Sequence, residues 1–159
     1  MEPGSPRRLD ELAIEPETGP ALGRLADAGF VLLGVTNQPE VARGLVAREI
    51  VEAINAALRN ELGLRDILVC WHDQPDECEC RKPKPGLILR AAERHDVDLD
   101  DSFMVGDRWK DVVAGTAAGC RTVLIDQGWA QPERCRPDFV ASTLAAAVDW
   151  ILAQPSHSV

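Results

Sequence analysis

The stretch from Ser102 to Asp126, SFMVGDRWKDVVAGTAAGCRTVLID, predicts a strand, a helix and a second strand in immediate succession. Its two ends, SFMVG and RTVLID, are short, largely apolar runs, as strands buried on both faces are. The segment between them, Trp109 to Gly119, predicts a helix. Parallel strands need such a crossover, so the stretch predicts a β-α-β unit.

The same alternation continues on both sides of this unit. Further helices are predicted over Thr18–Gly29, over Gly86–His95, over Leu144–Leu152 and along the apolar stripe Val46, Ile50, Ile54, Leu58 and Leu62; further strands are predicted over Phe30–Val35, Asp66–Cys70 and Asp138–Ala141. This order predicts the α/β class, a Rossmann-like fold with a parallel sheet flanked by helices. We expect an irregular N-terminal segment over 1–17, the core over 18–153, a long surface loop over 127–137 and a tail over 154–159.

Composition excludes several classes of function. The 159 residues carry a net charge of -9, and aromatic residues make up only 4% of the chain, without a tyrosine. A surface that tracks phosphates needs clustered cations and a stacking platform needs aromatics, so nucleic acid and anionic membranes are poor partners. No apolar run has the length of a membrane span. Three of the five cysteines lie close together, which favours thiolate ligation in a reducing compartment, and we expect a cytoplasmic protein.

The loop after the Asp66–Cys70 strand predicts a zinc site. Cys70, His72, Cys78 and Cys80 follow the pattern C-x-H, five residues, C-x-C. Three thiolates and one imidazole complete a tetrahedral zinc site and leave no position for a reacting water, so the metal should be structural. The alternative is four ordinary side chains, the cysteines reduced, in a polar loop.

Polar residues follow three of the predicted strands at their carboxyl ends. They are Thr36 with Asn37, then Lys82 beyond the zinc loop, then Asp107. Ligands of open α/β sheets bind at this edge, and a hydroxyl, a lysine and a carboxylate suit a phosphate beside Mg²⁺. Arg81 adds a forked donor for the same anion. Taken alone, Asp107 could instead cap the following helix, which is the more frequent role of such a residue.

Three quoted segments, VTNQPEVARG, the C-x-H and C-x-C loop running into CRKPKPG, and FMVGDRWKDVVAGTAAGC, together resemble the zinc-containing branch of the haloacid dehalogenase superfamily. Within it the chain is similar to the D-glycero-D-manno-heptose-1,7-bisphosphate 7-phosphatases, with the histidinol-phosphate phosphatases as near relatives. The resemblance runs from about Leu9 to Ile125. It implies a Mg²⁺-dependent phosphomonoesterase, with structural zinc, that acts on a small sugar phosphate.

The resemblance also implies roles for individual residues. Thr36 would contact the transferring phosphoryl group, Lys82 would neutralise its charge, and Asp107 would bind Mg²⁺. Asn37, Arg81 and Arg108 match positions that contact substrate, and Asp111 matches a carboxylate placed behind the metal ligand. These residues are the candidate site of the chain.

The chain departs from the family at one point. Members of the family carry an Asp-x-Asp motif at the end of an apolar strand, and its first Asp attacks phosphorus. The Asp-x-Asp strings at 96–98 and 98–100 lie in a polar stretch that no apolar run precedes. We therefore expect the central strand of the sheet and the nucleophile to be missing from this chain and its phosphatase activity to be lost. The simplest hypothesis is that the chain starts downstream of the true start.

Two other functions stay open at this level. One is the hydrolysis of histidinol phosphate, which the zinc loop does not separate from heptose bisphosphate. The other is a non-catalytic, zinc-stabilised module that binds a phosphorylated ligand. The oligomeric state is also open, between a monomer and a chain whose missing strand comes from another chain.

Overall fold

Helices and strands alternate along the chain as the sequence predicts. The structure, a computed structural model, describes residues 5–155. It contains two units, Met1–Cys78 and Glu79–Val159. The predicted core range 18–153 therefore spans parts of both units.

The first unit contains a two-stranded parallel sheet and the helices beside it. Its elements are a 3-10 helix (Leu9–Glu11), α1 (Thr18–Asp27), β1 (Leu33–Asn37), α2 (Pro39–Ala42), α3 (Arg48–Leu62), β2 (Asp66–Cys70) and a second 3-10 helix (Gln74–Asp76). Strand β1 pairs with β2 from Leu33 opposite Asp66 to Asn37 opposite Cys70. Helix α3 is the crossover between them and packs against β2 and α1.

Two boundaries in this unit differ from the sequence prediction, and some short helices were not predicted. Strand β1 begins at Leu33 rather than Phe30, because the Phe30 N–H donates to the Leu25 carbonyl and belongs to the end of α1. Helix α3 begins after Val46, and Ile50 on the predicted stripe is 37% exposed. The 3-10 helix at Leu9–Glu11 lies in the segment predicted to be irregular, and α2 was not predicted.

The second unit contains a three-stranded parallel sheet. Its elements are α4 (Gly86–His95), β3 (Phe103–Gly106), α5 (Trp109–Ala118), β4 (Arg121–Ile125), a 3-10 helix (Pro132–Arg134), β5 (Phe139–Ala141) and α6 (Leu144–Leu152). The strand order is β3-β4-β5, and both ladders are parallel. Helix α5 packs across β3 and β4, and α6 packs on β5 and β4. The strand-helix-strand prediction over Ser102–Asp126 is confirmed.

The core of the second unit lies between α5, α6 and β4. Val112, Val123, Leu124 and Val148 are each at most 1% exposed. Helix α5 approaches the sheet closely at Gly115, where an added Cβ would lie 2.5 Å from the Met104 side chain. A larger residue there would push the helix away from the sheet.

Aromatic rings fix the last helix. The Trp150 ring stacks on Phe139, with centroids 5.2 Å apart, and meets Phe103 edge-on at 5.9 Å. Both are favourable ring geometries. Among residues 5–155, no helix combines the length and apolar character that a membrane span requires.

Candidate metal centre and phosphate-binding residues

The predicted zinc ligands lie together after β2. Cys70, His72 and Cys78 belong to the first unit, and Cys80 follows Cys78 by two residues. The four ligand atoms all lie within 4.8 Å of one another. Cys70 is fully buried and Cys80 is 3% exposed, although the loop around them is polar.

The spacing of these atoms fits a tetrahedral metal. The Cys70 Sγ lies 3.6 Å from the Cys78 Sγ and 3.7 Å from His72 Nδ1. Two sulfurs each about 2.3 Å from a tetrahedral zinc would lie about 3.8 Å apart. A disulfide needs about 2.05 Å, and all five cysteines are free thiols. The side chains therefore fit Zn²⁺, and the predicted ligand set is brought together.

A bidentate ion pair holds the start of this loop. The guanidinium of Arg43, which follows α2, donates to both carboxylate oxygens of Asp73 at 2.6 and 2.8 Å. The Asp73 carboxylate also accepts the Gln74 N–H, and the Asp73 N–H donates to Asp76. The loop is thus fixed by side chains where regular backbone pairing has ended.

Thr36 and Asn37 were predicted to follow β1. The structure places them instead at the last two positions of that strand. The Gln38 side-chain amide donates to the Thr36 hydroxyl oxygen at 3.2 Å, and the Gln38 N–H donates to the Cys70 carbonyl at 2.8 Å. Because a hydroxyl has one hydrogen and two lone pairs, a Thr36 that accepts from Gln38 keeps its own hydrogen for an acceptor such as a phosphate oxygen.

A buried ion pair forms the centre of the second unit's polar site. The Lys82 ammonium donates to Asp111 Oδ1 at 2.6 Å, and the two side chains are 13% and 9% exposed. The Arg108 N–H donates to the other carboxylate oxygen of Asp111 at 3.2 Å. Asp111 therefore holds the lysine and the first turn of α5 in one arrangement.

Glycine at the end of β3 makes room for this carboxylate. A Cβ built on Gly106 would lie 2.3 Å from the carboxylate of Asp111. Only a residue without a side chain allows the strand end and the Asp111 carboxylate to approach so closely. Gly106, Lys82 and Asp111 thus form one interlocked group.

Asp107 directly follows β3. The sequence did not predict its hydrogen-bond partner, Trp129. The indole N–H of Trp129 donates to Asp107 Oδ2 at 3.1 Å. No hydrogen bond from any described residue engages Oδ1. A carboxylate oxygen is the ligand type that Mg²⁺ prefers, so Asp107 fits the metal that the resemblance implies. The only sequence signal for Trp129 was an aromatic residue in a polar loop.

The remaining candidates are placed as follows. Arg81 and Arg108 are half-buried; Arg81 precedes Lys82 and Arg108 follows Asp107 in the sequence.

Two cysteines lie outside the zinc cluster. Burial raises the pKa of Cys120 to about 11, and burial together with the nearby Glu133 raises the pKa of Cys135. Both are thiols rather than thiolates at neutral pH.

Comparisons with known proteins show which family the chain is similar to. Residues 79–147 match the HAD-hydrolase-like family. The chain is 38% identical over 129 residues to D-glycero-beta-D-manno-heptose-1,7-bisphosphate 7-phosphatase of Pseudomonas aeruginosa. The matched region covers 77% of this chain and 71% of the relative. It is 31% identical to the D-glycero-D-manno-heptose-1,7-bisphosphate 7-phosphatase of Thermosynechococcus vestitus, over 95% of this chain and 89% of the relative.

A solved structure extends the likeness to the fold. The D,D-heptose 1,7-bisphosphate phosphatase from B. bronchiseptica, complexed with magnesium and phosphate, matches with a TM-score of 0.78 and 34% identity over 92% of this chain and 87% of that chain. The chain therefore belongs to the haloacid dehalogenase superfamily, in the family of the D-glycero-D-manno-heptose-1,7-bisphosphate 7-phosphatases.

Proposed function

We propose that the reaction of this protein's family, the Mg²⁺-dependent removal of the 7-phosphate from D-glycero-D-manno-heptose 1,7-bisphosphate, defines its ligand. The 159-residue chain binds this phosphate group without hydrolysing it. The observation that carries the proposal is the pair of Lys82 with Asp111 in the first turn of α5, the helix that follows Asp107 in the sequence, in a chain whose relatives are named for that reaction.

The residues of the chain supply the binding part of this chemistry. Phosphoryl transfer depends mainly on positioning and on neutralising negative charge. Lys82 places a nearly buried cation, held by Asp111, for a phosphate oxygen. Thr36 offers a hydroxyl hydrogen to the same kind of acceptor, because Gln38 occupies its oxygen. Asn37, Arg81 and Arg108 serve as further substrate contacts.

Two metals belong to the proposal. Cys70, His72, Cys78 and Cys80 would hold a structural zinc that fixes the loop leading to Lys82. Asp107 would hold Mg²⁺, whose charge, when bound, would neutralise the phosphate oxygens. The Asp-x-Asp strings at 96–98 and 98–100 do not fit the family's nucleophile motif, since residues 96–101 follow α4 as a turn and no described strand leads into them.

The experiment measures binding and turnover separately. The purified chain is titrated calorimetrically with the heptose bisphosphate, with and without Mg²⁺, and released phosphate is assayed in the same samples. We expect saturable binding that Mg²⁺ strengthens, and no phosphate above background. Turnover would show that another carboxylate attacks phosphorus; absence of binding by a folded, zinc-loaded protein would refute the proposal.

Two matched variants test whether binding depends on Lys82 itself or only on the total positive charge of the chain. Lys82→Met should abolish binding, whereas Lys84→Met should not, because Lys84 pairs with the exposed Glu79 on the surface. Circular dichroism checks that both variants are folded. Histidinol phosphate serves as the competing ligand: its tighter binding would assign the chain to the neighbouring specificity instead.

A further inference from the structure

The loop between β4 and β5 reaches back to the start of α5. The Ala130 carbonyl accepts the Trp109 N–H at 2.9 Å, and Ala130 itself is fully buried against Val112 and Leu124. The Arg134 guanidinium lies over the Trp109 ring at 3.7 Å. A segment predicted to be a long surface loop is therefore attached to the element that begins beside Asp107.

Within this loop the structure aims one polar atom at the candidate metal ligand. The half-buried Trp129 ring places its N–H 3.1 Å from Asp107 Oδ2. An indole N–H is a donor only and carries no charge, so it can orient a carboxylate without competing with it for a cation. Glycine at 128, with φ of 94°, allows the backbone turn that precedes the ring.

We propose that Trp129 is a positioning residue for the magnesium ligand: its indole N–H holds Asp107 Oδ2, so that Oδ1 would be the oxygen that binds the metal. The inference deepens the proposed function and depends on Asp107 as the Mg²⁺ ligand. Partners that orient a ligating carboxylate commonly contribute 10–100-fold to metal affinity. The backbone hydrogen bond from the N–H of residue 109 to the Ala130 carbonyl attaches the loop and keeps the ring in place, whichever aromatic side chain residue 109 carries.

The first test reads metal binding directly. Mn²⁺ and Mg²⁺ dissociation constants are measured by electron paramagnetic resonance and by competition, with the zinc-loaded chain. Trp129→Phe keeps an aromatic ring but removes the donor, and we expect about 10-fold weaker binding. Trp109→Phe is the matched control, since this ring contacts Arg134 rather than Asp107, and it should bind the metal as the wild type does.

The second test needs no destabilising variant. The four tryptophans give four indole N–H signals in a ¹H–¹⁵N spectrum, and Trp129→Phe identifies the one that disappears. Because paramagnetic broadening falls steeply with distance, substoichiometric Mn²⁺ should broaden the Trp129 signal before the other three. Broadening of all four signals together would overturn the inference.

The outcomes separate the inference from the proposed function. Equal metal affinity of wild type and Trp129→Phe, with metal bound, would refute the role of Trp129 and leave the magnesium site standing. No metal binding by the folded wild type would refute both. A parallel loss in the Trp109→Phe control would assign the effect to loop attachment rather than to the hydrogen bond, and would also overturn the inference.

Discussion

Removing the charge of Asp111 should destabilise the second unit strongly. The Lys82 Nζ and Asp111 Oδ1 lie 2.6 Å apart in a site where the side chains are 13% and 9% exposed. At an effective dielectric constant of about 20, two unit charges at that distance attract by about 6 kcal/mol. Desolvation offsets part of this, but a lysine left alone in the site retains its own desolvation cost.

The expected size follows from that asymmetry. Breaking a buried ion pair from one side typically costs about 3–5 kcal/mol, so Asp111→Asn should lower the free energy of unfolding by about 3 kcal/mol. The amide oxygen of the substituted side chain can still accept the Arg108 N–H, so this variant removes the charge and keeps the helix cap. Asp111→Ala loses that cap as well and should cost about 1 kcal/mol more.

The assay is urea denaturation followed by circular dichroism in the presence of zinc, with Asp111→Asn, Lys82→Met and the double variant. Since the double variant leaves no unpaired charge, its loss should be smaller than the sum of the single losses by at least about 2 kcal/mol. Single losses that add to within about 0.5 kcal/mol would show that the two groups do not interact and would refute the reasoning.

Three further outcomes follow from the structure. Cys78→Ser should release zinc, measured by metal analysis, and lower the melting temperature, since binding of a structural metal is coupled to folding; equal melting temperatures would contradict this. Gly106→Ala should lower the free energy of unfolding by about 1–3 kcal/mol, because the added Cβ meets the Asp111 carboxylate. The control Gly23→Ala, whose added Cβ has nothing within 4 Å, should be neutral or stabilising. Equal denaturation midpoints of the two variants would show that the end of β3 tolerates a side chain. Because the pKa of Cys120 is raised to about 11 in the folded chain, its contribution to stability is present below pH 9 and is lost as the pH rises toward 11; a pH titration of stability that Cys120→Ser leaves unchanged would contradict it.

The sequence predicted element types better than their ends. Apolar runs identify a strand because burial selects for them, yet they do not mark where pairing begins. Phe30 is apolar, but its N–H is used at the end of α1, and the ladder starts only at Leu33, opposite Asp66. Thr36 consequently lies within β1, and its hydroxyl oxygen accepts a hydrogen bond from the side chain of Gln38, which the sequence places two residues further on.

The candidate site could be predicted where the residues are close in sequence. The zinc ligands share one loop, and the spacing of their side chains was enough to predict that they meet. The Trp129 contact with Asp107 joins residues 22 positions apart through a loop without periodicity. Nothing local in the sequence encodes such a contact, because the attachment of the loop to α5 decides it.

In strand β3 the apolar composition and the observed burial disagree. Its residues, Phe103 to Gly106, form the kind of continuous apolar run that suits a strand buried on both faces, yet none of them is buried, whereas three of the five β4 residues are. In the described chain β3 pairs with β4 alone and is the edge of its sheet. An apolar edge strand is a surface on which another strand can pair. The composition of β3 therefore suits a neighbour on its open side, as the family resemblance independently implies.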